Sequence, residues 1–146
     1  MKKILFNTSE SASPLLLRIF LALVIFPHGA QKLLGWFGGF GYTGTMSYFT
    51  DHVGLPYVIG LLIILLESIG AILLLTGFAT RFLAGFFLVL AVGIIVTSHW
   101  ENGFFMNWYG NQAGEGYEYF LLWIGMALAL VYSGAGRYSF DRLMSR

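Results

Sequence analysis

The sequence contains no cysteine, and only 10% of its 146 residues are charged. Without cysteine the chain can form no disulfide, thiolate metal site, iron–sulfur cluster or thiol relay. Soluble proteins carry about 25% charged residues, so this chain has too few for a surface that faces water. A net charge of +1 leaves no basic excess to neutralise nucleic acid, and we expect no nucleic-acid partner.

Hydrophobic residues make up 58% of the chain and are concentrated in four stretches. These stretches cover about 14–34, 56–77, 79–98 and 117–133. Each is close to the ~20 residues that a helix needs to cross a hydrocarbon core, and none alternates as a barrel strand does. The sequence therefore predicts an all-α fold, a four-helix transmembrane bundle in contact with the lipid bilayer. We expect one integral-membrane domain over residues 1–146.

Basic residues predict the orientation of this bundle. Only Lys32 is expected at one end of the helices, whereas the other seven gather at the opposite end: Lys2, Lys3, Arg18, Arg81, Arg137, Arg142 and Arg146. Because basic residues favour the cytoplasmic side, both termini are predicted to be cytoplasmic. Two long loops rich in glycine and aromatic residues, about 35–55 and 99–116, are predicted to lie outside. They form either an interfacial aromatic belt or a lid over the outer end.

The segment FGGFGYTG, residues 37–44, contains the spacing G-x-G-x-x-G. A dinucleotide fingerprint of this kind needs a preceding strand and a following helix. Here the segment follows a predicted membrane helix and lies on the predicted outer side. We therefore expect its glycines to form tight turns rather than a phosphate-binding loop.

Ionisable residues inside membrane helices are expensive and point to function or to specific packing. Glu67 lies near the predicted midplane and shares a helix face with Gly60, Gly70 and Gly77, so its side chain is expected to face the interior. On the first helix, three basic side chains fall within an arc of about 80° at 100° per residue: Arg18, His28 and Lys32. His99 follows the third helix. These residues predict a polar track between the helices.

Several positions keep two interpretations. Arg18 either reaches the headgroups or pairs with Glu67. Lys32 and His99 are either interfacial residues or part of the track, and His28 is favoured as an interior group. Two histidines on different helices could bind a b-type haem, but their different depths disfavour it. No metal site is predicted.

A quinone pocket places fewer geometric demands on these residues than a haem site does. A quinone head needs hydrogen-bond donors, a proton-exchanging group and apolar walls. Glu67 and His28 are the candidate catalytic residues, since they could exchange protons. The candidate binding residues are Arg18, Lys32, His99, Trp36 and Trp100. Any electrons would come from a partner or from a substrate that visits the site.

Four segments resemble the DoxX family of small four-helix membrane proteins: HGAQKLLGWFGG, ESIGAILLLTGFATR, HWENGFF and GAGRYSFD. The family is named for its similarity to the membrane subunit of a thiosulfate:quinone oxidoreductase. The resemblance adds Asn102 to the candidate binding residues. It implies a bacterial or archaeal plasma membrane and a partnership with other membrane or peripheral redox subunits.

Three functions follow from these observations. The first is a quinone-linked redox subunit, and thus part of a quinone-dependent oxidoreductase. The second is a non-catalytic membrane scaffold, in which the polar track only fixes helix register and partner docking. The third is a conduit for protons or small solutes. The sequence leaves open whether the chain is an enzyme.

Overall fold

The computed structural model describes residues 8–145, and every regular element in that range is helical. Its α-helices are α1 (Ser13–Leu34), α2 (Gly41–Ser47), α3 (Tyr57–Thr76), α4 (Thr80–Asn102), α5 (Glu118–Ser133) and α6 (Phe140–Ser145). Three of them, α1, α3 and α4, are long and apolar enough to cross a membrane, whereas α5 has 16 residues. The all-α prediction is confirmed for this range. That the chain crosses the membrane four times, and that both termini are cytoplasmic, remain predictions. Lys2, Lys3 and Arg146 lie outside the described residues.

The four longest helices follow the four apolar stretches closely. Glycines in the left-handed conformation end two of them, Gly35 (φ 72°) after α1 and Gly77 (φ 74°) after α3, because glycine adopts positive φ without steric cost. Helix α4 runs four residues past its predicted end. Its last turns are a π-helical segment (Ile95–His99) and a 3₁₀ turn (Trp100–Asn102).

The long helices pack around a common core, and we call this set of α1, α3, α4 and α5 the bundle. Helix α1 packs against α3 and α5, and α4 packs against α5. Fully buried alanines, Ala84 and Ala91 on α4 and Ala127 on α5, let the α4 and α5 backbones approach closely. Since lipid tails are as apolar as this core, van der Waals packing stabilises the association.

Both ends of the described chain meet at one end of the bundle, which we call the terminal end. The backbone N–H of Ser9 donates to the Ser133 carbonyl, and the Arg137 N–H donates to Ser11. Asp141 of α6 accepts hydrogen bonds from the N–H groups of Ala79 (2.6 Å) and Thr80 (2.8 Å). A carboxylate at this position satisfies the free N–H groups at the start of α4.

Arg18 also belongs to the terminal end, and both interpretations of it were wrong. Its side chain is fully buried and donates to the carbonyls of Leu75 (2.7 Å) and Tyr138 (2.5 Å). The guanidinium therefore neither reaches the headgroups nor pairs with Glu67. The last carbonyls of a helix lack intrahelical donors, and Arg18 supplies donors to the end of α3.

At the opposite end, the loop end, residues between α1 and α3 contain a helix that the sequence did not predict. Helix α2 continues into a π-helical turn, Tyr48–His52. Hydroxyl groups of Ser47 and Thr50 donate to the Asp51 carboxylate and lower its pKa. Gly38 and Gly41 of the FGGFGYTG segment adopt positive φ, which agrees with the turns expected there, and Phe40 is exposed.

Candidate functional site

The Glu67 carboxylate is the centre of the candidate site. It lies in a π-helical turn of α3, Leu66–Gly70, and its residue is 3% exposed. Gly29 of α1 lies directly against this turn, since a Cβ at Gly29 would stand 2.3 Å from the carbonyl carbon and oxygen of Glu67. Only glycine permits such an approach. The contact fixes the depth of Glu67 relative to α1.

Lys32 pairs with Glu67 across the contact between α1 and α3. Its Nζ donates a hydrogen bond to Glu67 Oε2, and we call this ion pair the Lys32–Glu67 pair. At about 100° per residue, Lys32 lies only about 40° from Arg18 around α1, within the buried stripe. Side-chain exposure is 25% for Lys32 and 4% for Glu67. The pair is therefore buried at its carboxylate and open at its ammonium.

Aromatic side chains of α4 and α5 form a neighbouring wall. The His99 ring packs edge to face on Phe120 with centroids 4.8 Å apart, and Phe120 stacks on Trp123 at 5.9 Å. Tyr119 extends the wall, since its ring contacts Trp123. Phe120 and Trp123 belong to the same core cluster as Leu21 and Ile25 of α1, so the wall packs on the core that α1 also lines.

Two buried nitrogen atoms in this wall have no hydrogen-bond partner in the described range, His99 Nδ1 and Trp123 Nε1. Trp123 is 4% exposed, and an indole N–H can only donate. Leaving such a group unpaired costs about 1–3 kcal/mol. Buried polar atoms of this kind are candidates for contacts with a bound molecule.

Sequence reasoning missed Tyr119 and Trp123. In an apolar helix these residue types resemble core or interfacial residues, and neither carries the charge that singled out Glu67. One signal was present in the spacing, because positions 119 and 123 are four residues apart and share a helix face.

His28 does not face the interior, and the expectation that it does was wrong. The residue is exposed on α1. It lies about 80° from Arg18 around the helix, at the edge of the buried stripe that includes Ile25 and Gly29. The arc that joined the three basic residues was wide enough to span both the interior and the surface.

Three other candidate residues lie at the loop end. Trp36 and Trp100 are exposed, and Trp100 stacks on Tyr117 with centroids 5.8 Å apart. Asn102 donates to the Glu115 carbonyl at 3.1 Å and so ties the end of α4 to the following loop. Contact of these residues with a ligand stays a prediction. Within residues 8–145, no three His, Asp or Glu side chains gather as metal ligands.

Long apolar helices and a buried ion pair define the chain as a small helical membrane protein. It belongs to the DoxX family, whose sequence model matches residues 13–100, and the predicted family is thereby confirmed. The match includes the motifs HGAQKLLGWFGG and ESIGAILLLTGFATR and ends before GAGRYSFD. The chain is also 32% identical over 124 residues to the protein named "Putative oxidoreductase CatD" from Bacillus subtilis (strain 168). That alignment covers 85% of this chain and 82% of CatD. No solved structure matches.

Proposed function

We propose that this DoxX protein is a quinone-linked redox subunit of a bacterial or archaeal plasma membrane. The quinone head group binds at the loop end of the bundle, beside the Lys32–Glu67 pair. The observation that carries the proposal is the pair itself, which combines a buried carboxylate with a partly accessible ammonium. A quinone can approach the ammonium from the lipid or from the loop end.

The pair has the chemistry that quinone reduction requires. A quinone takes up two electrons and two protons to become a quinol. Lys32 donates a hydrogen bond to the carbonyl oxygen, which gains negative charge as electrons arrive. The Lys32 ammonium gives one proton to that oxygen, and the Glu67 carboxylate, which accepts a hydrogen bond from Lys32, takes up a proton from water and returns it to Lys32. The second proton of the quinol comes from water at the loop end. His28 is exposed, so we assign the proton uptake to Glu67 alone.

The aromatic wall supports the same proposal. A quinone ring is flat and apolar, and it packs well against aromatic side chains such as Tyr119 and Phe120. The unpaired Trp123 Nε1–H and His99 Nδ1 offer partners for the second carbonyl or its hydroxyl product. In the proposed complex, Lys32 binds one oxygen atom of the ring and the aromatic wall binds the other.

The electrons come from outside this chain. A chain without cysteine has no thiol relay or iron–sulfur cluster of its own. The electron donor is therefore a partner redox subunit or a reduced substrate that reaches the loop end. The name of the similar B. subtilis protein supports membership of an oxidoreductase system and specifies neither the donor nor the quinone.

Direct quinone binding tests the proposal without knowledge of the donor. The full-length protein in mild detergent is titrated with decylubiquinone, and quenching of its native tryptophan fluorescence is followed. Loss of the charge-assisted hydrogen bond from Lys32 should weaken binding about tenfold in Lys32→Met. Glu67→Gln should also weaken binding, because the Lys32 ammonium then loses the carboxylate that holds it in place. Glu101→Gln, which changes an exposed carboxylate at the same end, should bind as the wild type does. Unchanged affinity in both Lys32→Met and Glu67→Gln would reject the quinone site.

A membrane scaffold is the second candidate function, and a specific observation favours it. Two buried charged residues, Arg18 and Asp141, hydrogen-bond backbone groups in the part of the chain that the structure describes. In a scaffold the Lys32–Glu67 pair likewise has a structural role, because it fixes α1 against α3. Glu67→Gln would then alter co-purifying partners while the fluorescence titration detects no quinone in any variant.

A further inference from the structure

A groove on the outer surface of α4 lies apart from the candidate site. It is near the terminal end of the helix and has a volume of ≈ 340 Å³. Its lining residues are Arg81, Phe82, Gly85, Phe86 and Val89. Only Arg81 among them is polar. His99, the nearest residue of the candidate site on this helix, belongs to the opposite end of α4.

Gly85 creates the depth of the groove. A Cβ placed at Gly85 would meet no heavy atom within 4 Å, so the glycine is not required for packing inside the bundle. Phe82 and Phe86 pack edge to face, with ring centroids 4.6 Å apart, and together with Val89 they line the groove with exposed apolar surface. On a helix apolar enough to cross a membrane, this surface suits a hydrocarbon chain.

Arg81 places a positive charge at one end of this apolar surface. It is the second residue of α4, so it lies where the helix enters the hydrocarbon region. Its Nη1 donates to the Val131 carbonyl of α5 at 2.8 Å, which holds the guanidinium beside the groove. A guanidinium stays charged at any physiological pH, and its planar donors match a phosphate group.

We propose that this groove binds one anionic phospholipid from the leaflet that borders the terminal end. The lipid phosphate contacts Arg81, and one acyl chain lies over Gly85 between the phenylalanine rings and Val89. The positive charge of Arg81 complements the lipid phosphate at one end of the groove, and the apolar residues complement the acyl chain along the rest. This site is independent of the Lys32–Glu67 pair and of any quinone.

Native mass spectrometry of the full-length protein in mild detergent tests the proposal. Phosphatidylglycerol and phosphatidylcholine with identical acyl chains are titrated in parallel. Gly85→Leu fills the groove, and Arg81→Gln removes the charge. Gly125→Leu is the matched control, since Gly125 on α5 also has no heavy atom within 4 Å of a built Cβ.

The expected result is tighter binding of phosphatidylglycerol than of phosphatidylcholine in the wild type and in Gly125→Leu. Both Gly85→Leu and Arg81→Gln should bind phosphatidylglycerol about tenfold more weakly. If circular dichroism shows that Gly85→Leu does not fold, Val89→Phe is used instead. Val89 is 68% exposed, and the larger side chain of the variant fills the same groove.

Three results would overturn the proposal. Equal affinity of Gly85→Leu (or Val89→Phe) and the wild type for phosphatidylglycerol would place the lipid elsewhere. Equal affinity of the wild type for both lipids would remove the role of Arg81. A change of oligomeric state in Gly85→Leu, without a change in lipid binding, would make the groove a contact between copies.

Discussion

Glu67 is the residue on which the interpretation of this protein depends. A carboxylate that is 3% exposed loses most of its hydration, and the loss is compensated only by a partner charge with good geometry. Lys32 supplies that charge. The same pairing that stabilises Glu67 also holds an ammonium group, 25% exposed, at the boundary of the interior.

Removal of Lys32 alone should therefore destabilise the protein more than removal of both charges. Breaking a fully buried ion pair costs roughly 3–5 kcal/mol, and the partial exposure of Lys32 should bring Lys32→Met below that range. The double variant Lys32→Met/Glu67→Gln should recover much of the loss, because no unpaired charge remains. Thermal unfolding of the single and double variants in one detergent measures this coupling. Additive losses would mean that the two side chains do not stabilise each other.

Glu67 shows how far single residues could be predicted from the sequence. A carboxylate on the glycine-bearing face of an apolar helix has few stable positions other than the interior, so its burial followed from composition and periodicity. Arg18 did not follow, because its partners are carbonyl groups at the end of α3 and in the segment before α6. Backbone acceptors leave no residue-type signal in a sequence.

At the scale of helices, the contact between α1 and α3 sets the geometry of the Lys32–Glu67 pair. Gly29 meets the backbone of Glu67 and Ser68 at distances that exclude any Cβ. The π-helical turn of α3 lies at this contact. Because the chain is fixed at Gly29, Lys32 three residues later lies one turn nearer the loop end and reaches the carboxylate.

Gly29→Ala should separate the two helices and weaken the Lys32–Glu67 pair. Overpacking of this kind costs about 1–3 kcal/mol, and a backbone obstacle cannot move aside as a side chain can. Thermal unfolding compares this variant with Gly93→Ala, in which the added methyl group meets no heavy atom within 4 Å. We expect a lower Tm for Gly29→Ala and little change for Gly93→Ala. Equal Tm values for the two variants would show that the close contact is not required.

The positions of the four long helices could be predicted from the sequence, whereas the π-helical turns and the short helix α2 could not. Four apolar stretches of about 20 residues have few structures open to them in lipid other than helices, and their bounds differ from the observed ones by four residues at most. The π-helical turns and α2 depend on contacts between segments. Gly39, for example, lies against the Gln31 backbone of α1, a contact that no local pattern specifies.

At the scale of the whole molecule, the distribution of basic residues makes a prediction that a cysteine-free chain is well suited to test. Gln112 lies exposed in the loop before α5, and Met144 is exposed near the end of the described chain. Each is replaced singly by cysteine, and intact cells are treated with a membrane-impermeant maleimide. Gln112→Cys should be labelled in intact cells, and Met144→Cys only after the membrane is opened.

The unmodified protein provides the control, since it has no cysteine to label. Labelling of Met144→Cys in intact cells, with protection of Gln112→Cys, would reverse the predicted orientation. It would also place the Lys32–Glu67 pair nearer the cytoplasmic side of the membrane. Any electron donor would then be sought in the cytoplasm.

The most direct test of the central claim is infrared difference spectroscopy of the protein with bound quinone, reduced and reoxidised at an electrode. The electrode supplies the two electrons, so no natural donor is needed, and the protons come from the site and the buffer. If Glu67 exchanges a proton with the quinone through Lys32, a carboxyl band changes on reduction in the wild type and in Glu101→Gln and is absent in Glu67→Gln. A quinone that binds and is reduced with no carboxyl change, or with the same change in Glu67→Gln, would contradict the account.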